Sequence, residues 1–492
     1  MAVTDTAPTT TPQTPPQTPA PASAPAPTGL SVRAKLVLFV LCAAQFAVAL
    51  DFSILNVALP ALGSDLGLSQ ANLQWGVTAF ALPSGGFLLL FGRIADLIGR
   101  RRLFLIGLAA FTAASVLATA AWDPTSFLVG RVLQGLGAAM IVPSGMALLT
   151  TTFKEGPERD RALGVSGMLM SLGFTVGMLL GGVLTQAFGW RSTMALNVLM
   201  GAAVLLGAPR LLTESRVPER PRIDVPGAVT ITGGLLALIY ALSTAAQSGF
   251  GRPDVVIGLS AGVLLLAAFV VIESRTAQPL VSLRVLRRRT VAWGNIGGLV
   301  TFSMMSAVIF LTTLYLQQVR DLSPGASGLV FGVIGLAAAL GGSVAPKVVG
   351  RLGAARTLVA GLVIQSACTA AMVLVGAGGG TWLVLLFGSL GCFGHLWAIV
   401  AYSITATSGL ADTEQGLATG LVTSTQQVGL TVGIPLLSAL AASRIDGLKA
   451  AGDSFARATL GGVRLGLGTD AVVVAAVALL VSLGLRVWRR AD

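Results

Sequence analysis

The chain has 492 residues, of which 54% are hydrophobic and only 11% charged, with a formal net charge of +12. A soluble domain carries about 25% charged residues, so this chain has too little polar surface to cover a water-soluble globule. The basic residues lie in short segments beside apolar runs, which favours a membrane protein over a nucleic-acid-binding one. Those runs are about twenty residues long, as a membrane-crossing α-helix requires, and lack the alternation of β-barrel strands.

The chain begins with a segment rich in Thr, Pro, Ala and Gln, and we predict a disordered tail over residues 1–34 because such a composition buries little apolar area. The segment lacks the basic start and early apolar run of a signal peptide. Fourteen apolar spans follow, near residues 36–58, 72–92, 103–121, 125–148, 161–186, 191–209, 225–245, 254–273, 291–316, 326–346, 354–376, 381–404, 415–440 and 467–487.

The Lys and Arg residues of the connecting segments predict the orientation. Most of the 32 fall in alternate segments, beginning with the one before the first span. The positive-inside rule then puts both termini in the cytoplasm of a multi-pass membrane protein. Residues 441–466 are predicted to form the longest outside loop. Proline-rich and basic linkers suggest a division into 35–210, 211–290 and 291–492, with two helices inserted between two six-helix groups.

Two ionisable residues lie within predicted spans where a charge is costly. Asp51 is in the middle of the first span and Arg131 is in the fourth. Intramembrane acids usually mark an ion or substrate path, although a purely structural hydrogen-bonded Asp remains an alternative. Arg131 keeps its proton and needs a carboxylate, carbonyls or water as partners, unless it snorkels to the surface. Gln134 is one turn further along the same face.

The connection after the second span carries a turn with a dense positive cluster. Residues 92–102 contain two glycines, an acid and three consecutive arginines. Glycine permits a tight turn between antiparallel helices, and the acid can either cap the next helix or pair with an arginine. A simple positive-inside cluster is the alternative. The residues singled out are Gly92, Asp96, Gly99, Arg100 and Arg101.

Small or polar residues in other spans are further candidates. In the fifth span Gly173, Gly177, Gly181 and Gly182 form a stripe of small residues that permits close helix contact. His395, the single histidine, could titrate near neutral pH or be a packed structural residue. Cys42, Cys368 and Cys392 match no metal or disulfide spacing, so no metal is expected. Neighbouring polar candidates for a substrate cavity are Trp397, Tyr402, Gln426 and Gln427.

Several segments together resemble the major facilitator superfamily, and specifically its fourteen-helix drug:proton antiporters. Residues 92–102 look like the loop signature between the second and third helices, and residues 50–60, which include Asn56, look like the first-helix motif. Residues 131–138 look like the fourth-helix motif and 173–182 like the antiporter motif of helix 5. Met178 departs from that last motif, where proline usually follows the second glycine, and this departure bears on the direction of transport.

The resemblance implies an all-α polytopic membrane protein with the major facilitator fold: two six-helix bundles plus two central helices. It also implies a monomeric, proton-coupled antiporter in a bacterial cell membrane that exports small lipophilic or cationic drugs. Proton coupling would involve Asp51 and Arg131, with Asn56, Gln134 and His395 in the substrate cavity. The partners expected are a small molecule, protons and lipid, without nucleic acid, and no cofactor is expected because no Walker motif occurs. A symporter importing a small solute is the alternative, while a membrane enzyme or sensor lacks a catalytic cluster.

Overall fold

A computed structural model describes residues 31–68, 72–153, 157–214, 224–276, 283–410 and 412–487. Within these ranges every element is a helix. In chain order they are α1 (Val32–Leu66), α2 (Trp75–Gly86), α3 (Leu88–Ile98), α4 (Arg100–Thr119), α5 (Pro124–Thr152), α6 (Pro157–Phe188), α7 (Arg191–Leu211), α8 (Val225–Ser248), α9 (Pro253–Arg275), α10 (Leu283–Leu286), α11 (Arg289–Leu314), a π-helical turn (Tyr315–Val319), α12 (Pro324–Leu352), α13 (Ala354–Met372), α14 (Thr381–Thr407), α15 (Asp412–Ala450) and α16 (Phe455–Gly484).

The described helices match the predicted spans one for one. Thirteen are long and apolar enough to cross a membrane, and α2 and α3 form a further span that bends by 49°. The bend follows Pro83 and the Gly85–Gly86 pair, and such residues are the usual causes of helix kinks. The predicted all-helical membrane fold with fourteen spans is therefore confirmed.

Two boundaries differ from the sequence prediction. The first helix begins at Val32, where the Ser31 hydroxyl accepts a hydrogen bond from the backbone N–H of Ala34, while residues 1–30 lie outside the described part. The predicted loop over 441–466 is wrong, because α15 continues to Ala450 and α16 begins at Phe455. The two helices extend together as an antiparallel pair, since Gly461 and Gly462 allow Leu448 and Ile445 to approach closely.

The helices form two bundles and a central pair. The first bundle consists of α1 to α7 and the second of α11 to α16. The central pair, α8 and α9, packs on itself, and α8 also contacts α2 of the first bundle and α15 of the second. The Gln74 side-chain amide donates to the Ser243 carbonyl at 2.8 Å, and the rings of Trp75 and Tyr240 lie 6.0 Å apart. The inserted pair therefore lies along one seam between the bundles.

The two ends of the molecule differ in how the bundles meet. The end at which α1 begins is called the basic end here, because Arg33, Arg100 and Arg351 lie there. Towards the opposite end the Gln317 amide donates to the Val57 carbonyl of the other bundle at 2.9 Å. In the middle of α15 the Thr431 hydroxyl donates to the Ala81 carbonyl of α2 at 3.2 Å. Further contacts at the end opposite the basic end join Ser323 to Gln186, Gln74 to Ser438 and Gly182 to Gly328.

Candidate functional site

The centre of the first bundle contains a fully buried ion pair. Asp51 of α1 and Arg131 of α5 each have no exposed side-chain surface. One guanidinium nitrogen of Arg131, Nη1, donates to Asp51 Oδ1 at 2.9 Å and to Oδ2 at 2.7 Å. The structure thus brings together the two residues predicted for proton coupling, and it gives Arg131 a carboxylate partner within the bundle.

Arg131 has three further contacts besides the carboxylate. Its Nη1 also donates to Gln134 Oε1 at 2.9 Å, and its Nε donates to the Gly76 carbonyl at 3.0 Å. The guanidinium carbon lies 4.6 Å from the centroid of the Phe80 ring, a cation–π distance. These three contacts do not involve Asp51, so they remain available to Arg131 when the carboxyl is neutral.

Asp51 has a second polar neighbour that sequence reasoning missed. The Asn197 amide of α7 donates to Asp51 Oδ1. Gln134 connects the site to a further helix, because its amide donates to the Ser115 hydroxyl of α4 at 2.8 Å. Neutral Ser and Asn are common in membrane helices, so nothing in their local sequence separates Ser115 and Asn197 from ordinary packing residues.

Glycines in the segment 131–138 allow the close helix contacts that position Arg131 and Gln134. A Cβ at Gly135 would lie 2.2 Å from the Phe80 carbonyl of α2, and one at Gly137 would lie 2.8 Å from the Gly107 carbonyl of α4. Because these two glycines have no side chain, α5 lies close to both neighbouring helices. Arg131 can therefore reach α2 and α1 from a helix that is packed tightly on both sides.

A second polar network lies in the second bundle, and its described residues form no ion pair. The Thr301 hydroxyl of α11 is 2.6 Å from Gln365 Oε1 of α13 and 2.9 Å from His395 Nδ1 of α14. His395 is buried and its ring meets that of Phe302 edge to face. The structure thus places His395 in a hydrogen-bonded network with Thr301 and Gln365, and its role in a substrate cavity stays a prediction.

The other cavity candidates are in separate places. Gln134 belongs to the ion-pair network, and Asn56 is buried and donates to the Phe52 carbonyl of its own helix at 2.9 Å. The Tyr402 hydroxyl donates to the Val422 carbonyl of α15 at 2.9 Å. Trp397 is half-buried, and its ring centroid lies 5.3 Å from that of Phe393 with the two rings tilted by 52°. Gln426, whose amide lies 3.9 Å from the Met170 sulfur of α6, is the candidate that reaches between the bundles.

At the basic end, Asp96 pairs with an arginine instead of capping the next helix. Arg100 donates to Asp96 Oδ1 from Nε at 3.1 Å and from Nη2 at 2.9 Å. Gly99 has φ +110°, a conformation that favours glycine. Glu214, which follows α7, was missed: it accepts from the backbone N–H of Arg101 at 3.1 Å, and a Cβ at Gly99 would lie 2.6 Å from its carboxylate.

The glycines of α6 contact two different helices. A Cβ at Gly173, Gly177 or Gly181 would meet the α1 backbone within 2.9 Å, whereas one at Gly182 would lie 2.4 Å from the Pro324 carbonyl of α12. The stripe therefore packs within the first bundle, and its last glycine packs against the second bundle at the end opposite the basic end.

Comparison with known proteins agrees with this architecture. Residues 41–434 match the family model described as Major Facilitator Superfamily. The chain is 37% identical over 424 residues to the puromycin resistance protein pur8 of Streptomyces alboniger, covering 82% of this chain and 80% of that protein. It is 37% identical over 437 residues to the cephamycin export protein CmcT of Amycolatopsis lactamdurans, covering 85% and 87% respectively.

A solved structure supports the fold at much lower identity. An auto-inhibited peptide transporter of the POT family superposes with a TM-score of 0.69 at 19% identity, covering 93% of this chain and 98% of that one. This likeness bears on the fold alone, whereas the family model spans most of the chain. The chain belongs to the Major Facilitator Superfamily and is a membrane transporter related to antibiotic and multidrug exporters.

Proposed function

We propose that the chain is a proton-coupled antiporter that exports small lipophilic or cationic antibiotics or drugs by alternating access. The observation that carries this proposal is the buried Asp51–Arg131 pair, in which Arg131 has other acceptors. Protonating a buried carboxylate beside a cation normally leaves that cation uncompensated, at a cost of several kcal/mol. The acceptors at Gln134 and Gly76 lower that cost, so Asp51 can alternate between two protonation states.

The charge balance then links the proton to a cationic substrate. With Asp51 ionised the core of the pair is neutral, and with Asp51 protonated it holds the positive charge of Arg131. Because like charges repel strongly at low dielectric, proton binding disfavours a cation in the same bundle. Proton and cation would therefore occupy the transporter in turn, as antiport requires. An uncharged substrate would be coupled through the conformations that the two protonation states prefer.

The proposed orientation puts the basic end in the cytoplasm of a bacterium, with both termini on that side, because Lys and Arg are retained there. The groups 35–210 and 291–492 would rock about a site near the midplane, as in transporters built from repeats. The α6–α12 contact through Gly182 and Gly328 would form and separate at the outer end during this movement. Export is supported by the relatives named for cephamycin export and for puromycin resistance.

A matched pair of substitutions on α1 tests the coupling role. Asp51→Asn should abolish uphill efflux of ethidium, a fluorescent lipophilic cation, from cells, because the side chain no longer titrates. Asp65→Asn is the control: Asp65 also pairs with an arginine, Arg191, at 2.5 Å, but both side chains are 40–50% exposed. Uphill efflux by purified Asp51→Asn protein in proteoliposomes, at the wild-type rate, would refute the proposal.

The energy source is tested in inverted membrane vesicles. A protonophore should stop ethidium accumulation even with ATP present, and an imposed pH gradient should restart it without ATP. Accumulation that persists with the gradient collapsed would exclude proton coupling. Proton-driven movement of ethidium and protons in the same direction would instead support a symporter.

A further inference from the structure

Asp470 is a second buried acid, and sequence reasoning did not identify it. It lies in the middle of α16 with no exposed surface. Neither carboxylate oxygen has a hydrogen-bond partner among the described residues. An isolated ionised carboxylate in such surroundings is strongly disfavoured, and the group neutralises instead. We therefore expect Asp470 to bind a proton in this conformation, whereas Asp51 has a cation to hold its negative charge.

The described residues of the helices around Asp470 place no cation in hydrogen-bonding contact with it. On α13 the Thr369 hydroxyl is a polar neighbour of Asp470. The Tyr315 hydroxyl of the π-helical turn donates to the Gly376 carbonyl. The titratable groups whose side chains the structure describes on the packed elements α11, α13, α15, the π-helical turn and α16 itself are Arg289, Arg356, Cys368, Arg444, Asp446, Lys449, Tyr315, Arg457 and Arg464, with Arg320 directly after the turn. Arg464 donates to the Val375 carbonyl, Arg289 to the Gly484 carbonyl and Arg356 to the Val487 carbonyl. None of these arginines forms a hydrogen bond with Asp470.

Asp470 occupies a place in the second bundle that corresponds to a place beside the ion pair in the first bundle. In the first bundle the third and sixth helices, α4 and α7, bring Ser115 and Asn197 to the network of Asp51. In the second bundle the equivalent helices, α13 and α16, bring together Thr369 and Asp470.

The helix contacts support this correspondence. Gly107 of α4 packs against the fourth helix of its bundle at Gly137, as Gly361 of α13 does at Gly394. Ser115 and Thr369 each lie eight residues after these glycines.

Asp470 also lies close to the neutral network of the second bundle. Gln365 is one helical turn from Thr369 on α13, and residues four apart share a helix face. Gln365 contacts Thr301, which in turn contacts His395. A line of polar groups therefore runs from Asp470 through α13 towards the centre of the second bundle.

We propose that Asp470 is a second proton-binding site, which takes up and releases a proton during transport and adds one proton to each cycle. The proton binds to a carboxylate oxygen on uptake and leaves that oxygen on release, so no other reactant is involved. This inference rests on the proposed proton coupling, but it concerns a different bundle and a different acid. The second bundle thus has its own charge change, in a site without an arginine.

Infrared difference titration of the purified full-length protein in lipid nanodiscs tests the site directly. The protonated-carboxyl band of Asp470 should be present in the wild type and in Asp51→Asn, and absent in Asp470→Asn. Asp446→Asn, which changes an exposed acid of α15, should leave the band unchanged. Thr369→Val should shift the band without removing it, because the neighbouring hydroxyl is lost. This last variant preserves the test if Asp470→Asn does not fold.

Transport stoichiometry gives the second readout. In proteoliposomes, the reversal potential for ethidium should report one proton fewer per ethidium for Asp470→Asn than for the wild type. A carboxyl band identical in the wild type and Asp470→Asn, or an unchanged stoichiometry, would overturn the proposal. Failure of coupling by Asp51 would appear instead as gradient-driven transport in Asp51→Asn, so the two proposals fail separately.

Discussion

Each bundle buries a network of polar side chains, but the two networks differ in charge. In the first, Asp51 is ion-paired with Arg131 and surrounded by Gln134 and Asn197. In the second, Thr301, Gln365 and His395 form a neutral network, and Asp470 has no cation near it. A buried charge is tolerated where its partners are complete, and a buried acid without partners is kept neutral by its proton. The same fold thus buries an acid in two ways, with a cation in the first bundle and without one among the described residues of the second.

The largest effect is expected from breaking the charged core. Arg131→Met should leave Asp51 as an uncompensated buried charge and cost about 3–5 kcal/mol of folding free energy. Asp51→Asn combined with Arg131→Met should recover much of that loss, because both charges are then absent. The free energy of unfolding in mixed micelles, measured for the single and double variants, tests this expectation. A double variant no more stable than Arg131→Met would mean that Asp51 is not the charge that Arg131 compensates.

The next largest effect is expected from a substitution at the contact between the two bundles. Gly182→Leu places a side chain where a Cβ would already meet α12 at 2.4 Å, and overpacking of this kind costs about 1–3 kcal/mol. The outer ends should then separate, exposing a cysteine introduced at buried Ser327 to a membrane-impermeant thiol reagent. Gly164→Leu, where no atom lies within 4 Å of a Cβ, is the control. Equal labelling in both backgrounds would contradict the proposed movement.

The neutral network should matter for stability more than for coupling. Thr301→Val removes the hydroxyl shared by Gln365 and His395, and leaving buried polar groups unpartnered costs about 1–3 kcal/mol. Proton-driven ethidium efflux should still occur. Thr313→Val on the same helix, whose hydroxyl donates to the Ile309 carbonyl, controls for loss of a hydroxyl. Complete uncoupling by Thr301→Val alone would shift the coupling role towards His395.

The smallest effect on stability is expected at the basic end. Asp96 and Arg100 form an i,i+4 pair that is partly exposed, so Asp96→Asn should cost only about 0.2–0.5 kcal/mol. Transport should nevertheless slow, because the pair lies beside the turn at Gly99 that joins α3 to α4 and fixes the geometry of that turn, while equilibrium binding of ethidium stays normal. Asp254→Asn, in the exposed pair with Arg252, is the comparison. A large loss of affinity with a normal exchange rate would point to a binding role instead.

The sequence predicted the helical membrane fold because bilayer thickness dictates the length of an apolar span. It also predicted Asp51, Arg131 and Gln134, because charged residues are rare in spans and stand out there. It did not predict Asn197 or Ser115, since neutral polar side chains are common in membrane helices and their partners are far away in sequence. Asp470 was overlooked because it lies near the start of the last predicted span, close to the supposed loop at 441–466.

The sequence by itself therefore determined the number of spans and their glycine stripes, since these depend on local composition and spacing. Only the tertiary structure decided which polar groups meet. Asp51 and Arg131 are 80 positions apart and still form a hydrogen bond of 2.7 Å, whereas Trp397 and Tyr402, close in sequence, have different neighbours. The physical reason is that burial costs depend on complete sets of partners, and helix packing, not sequence proximity, assembles those sets.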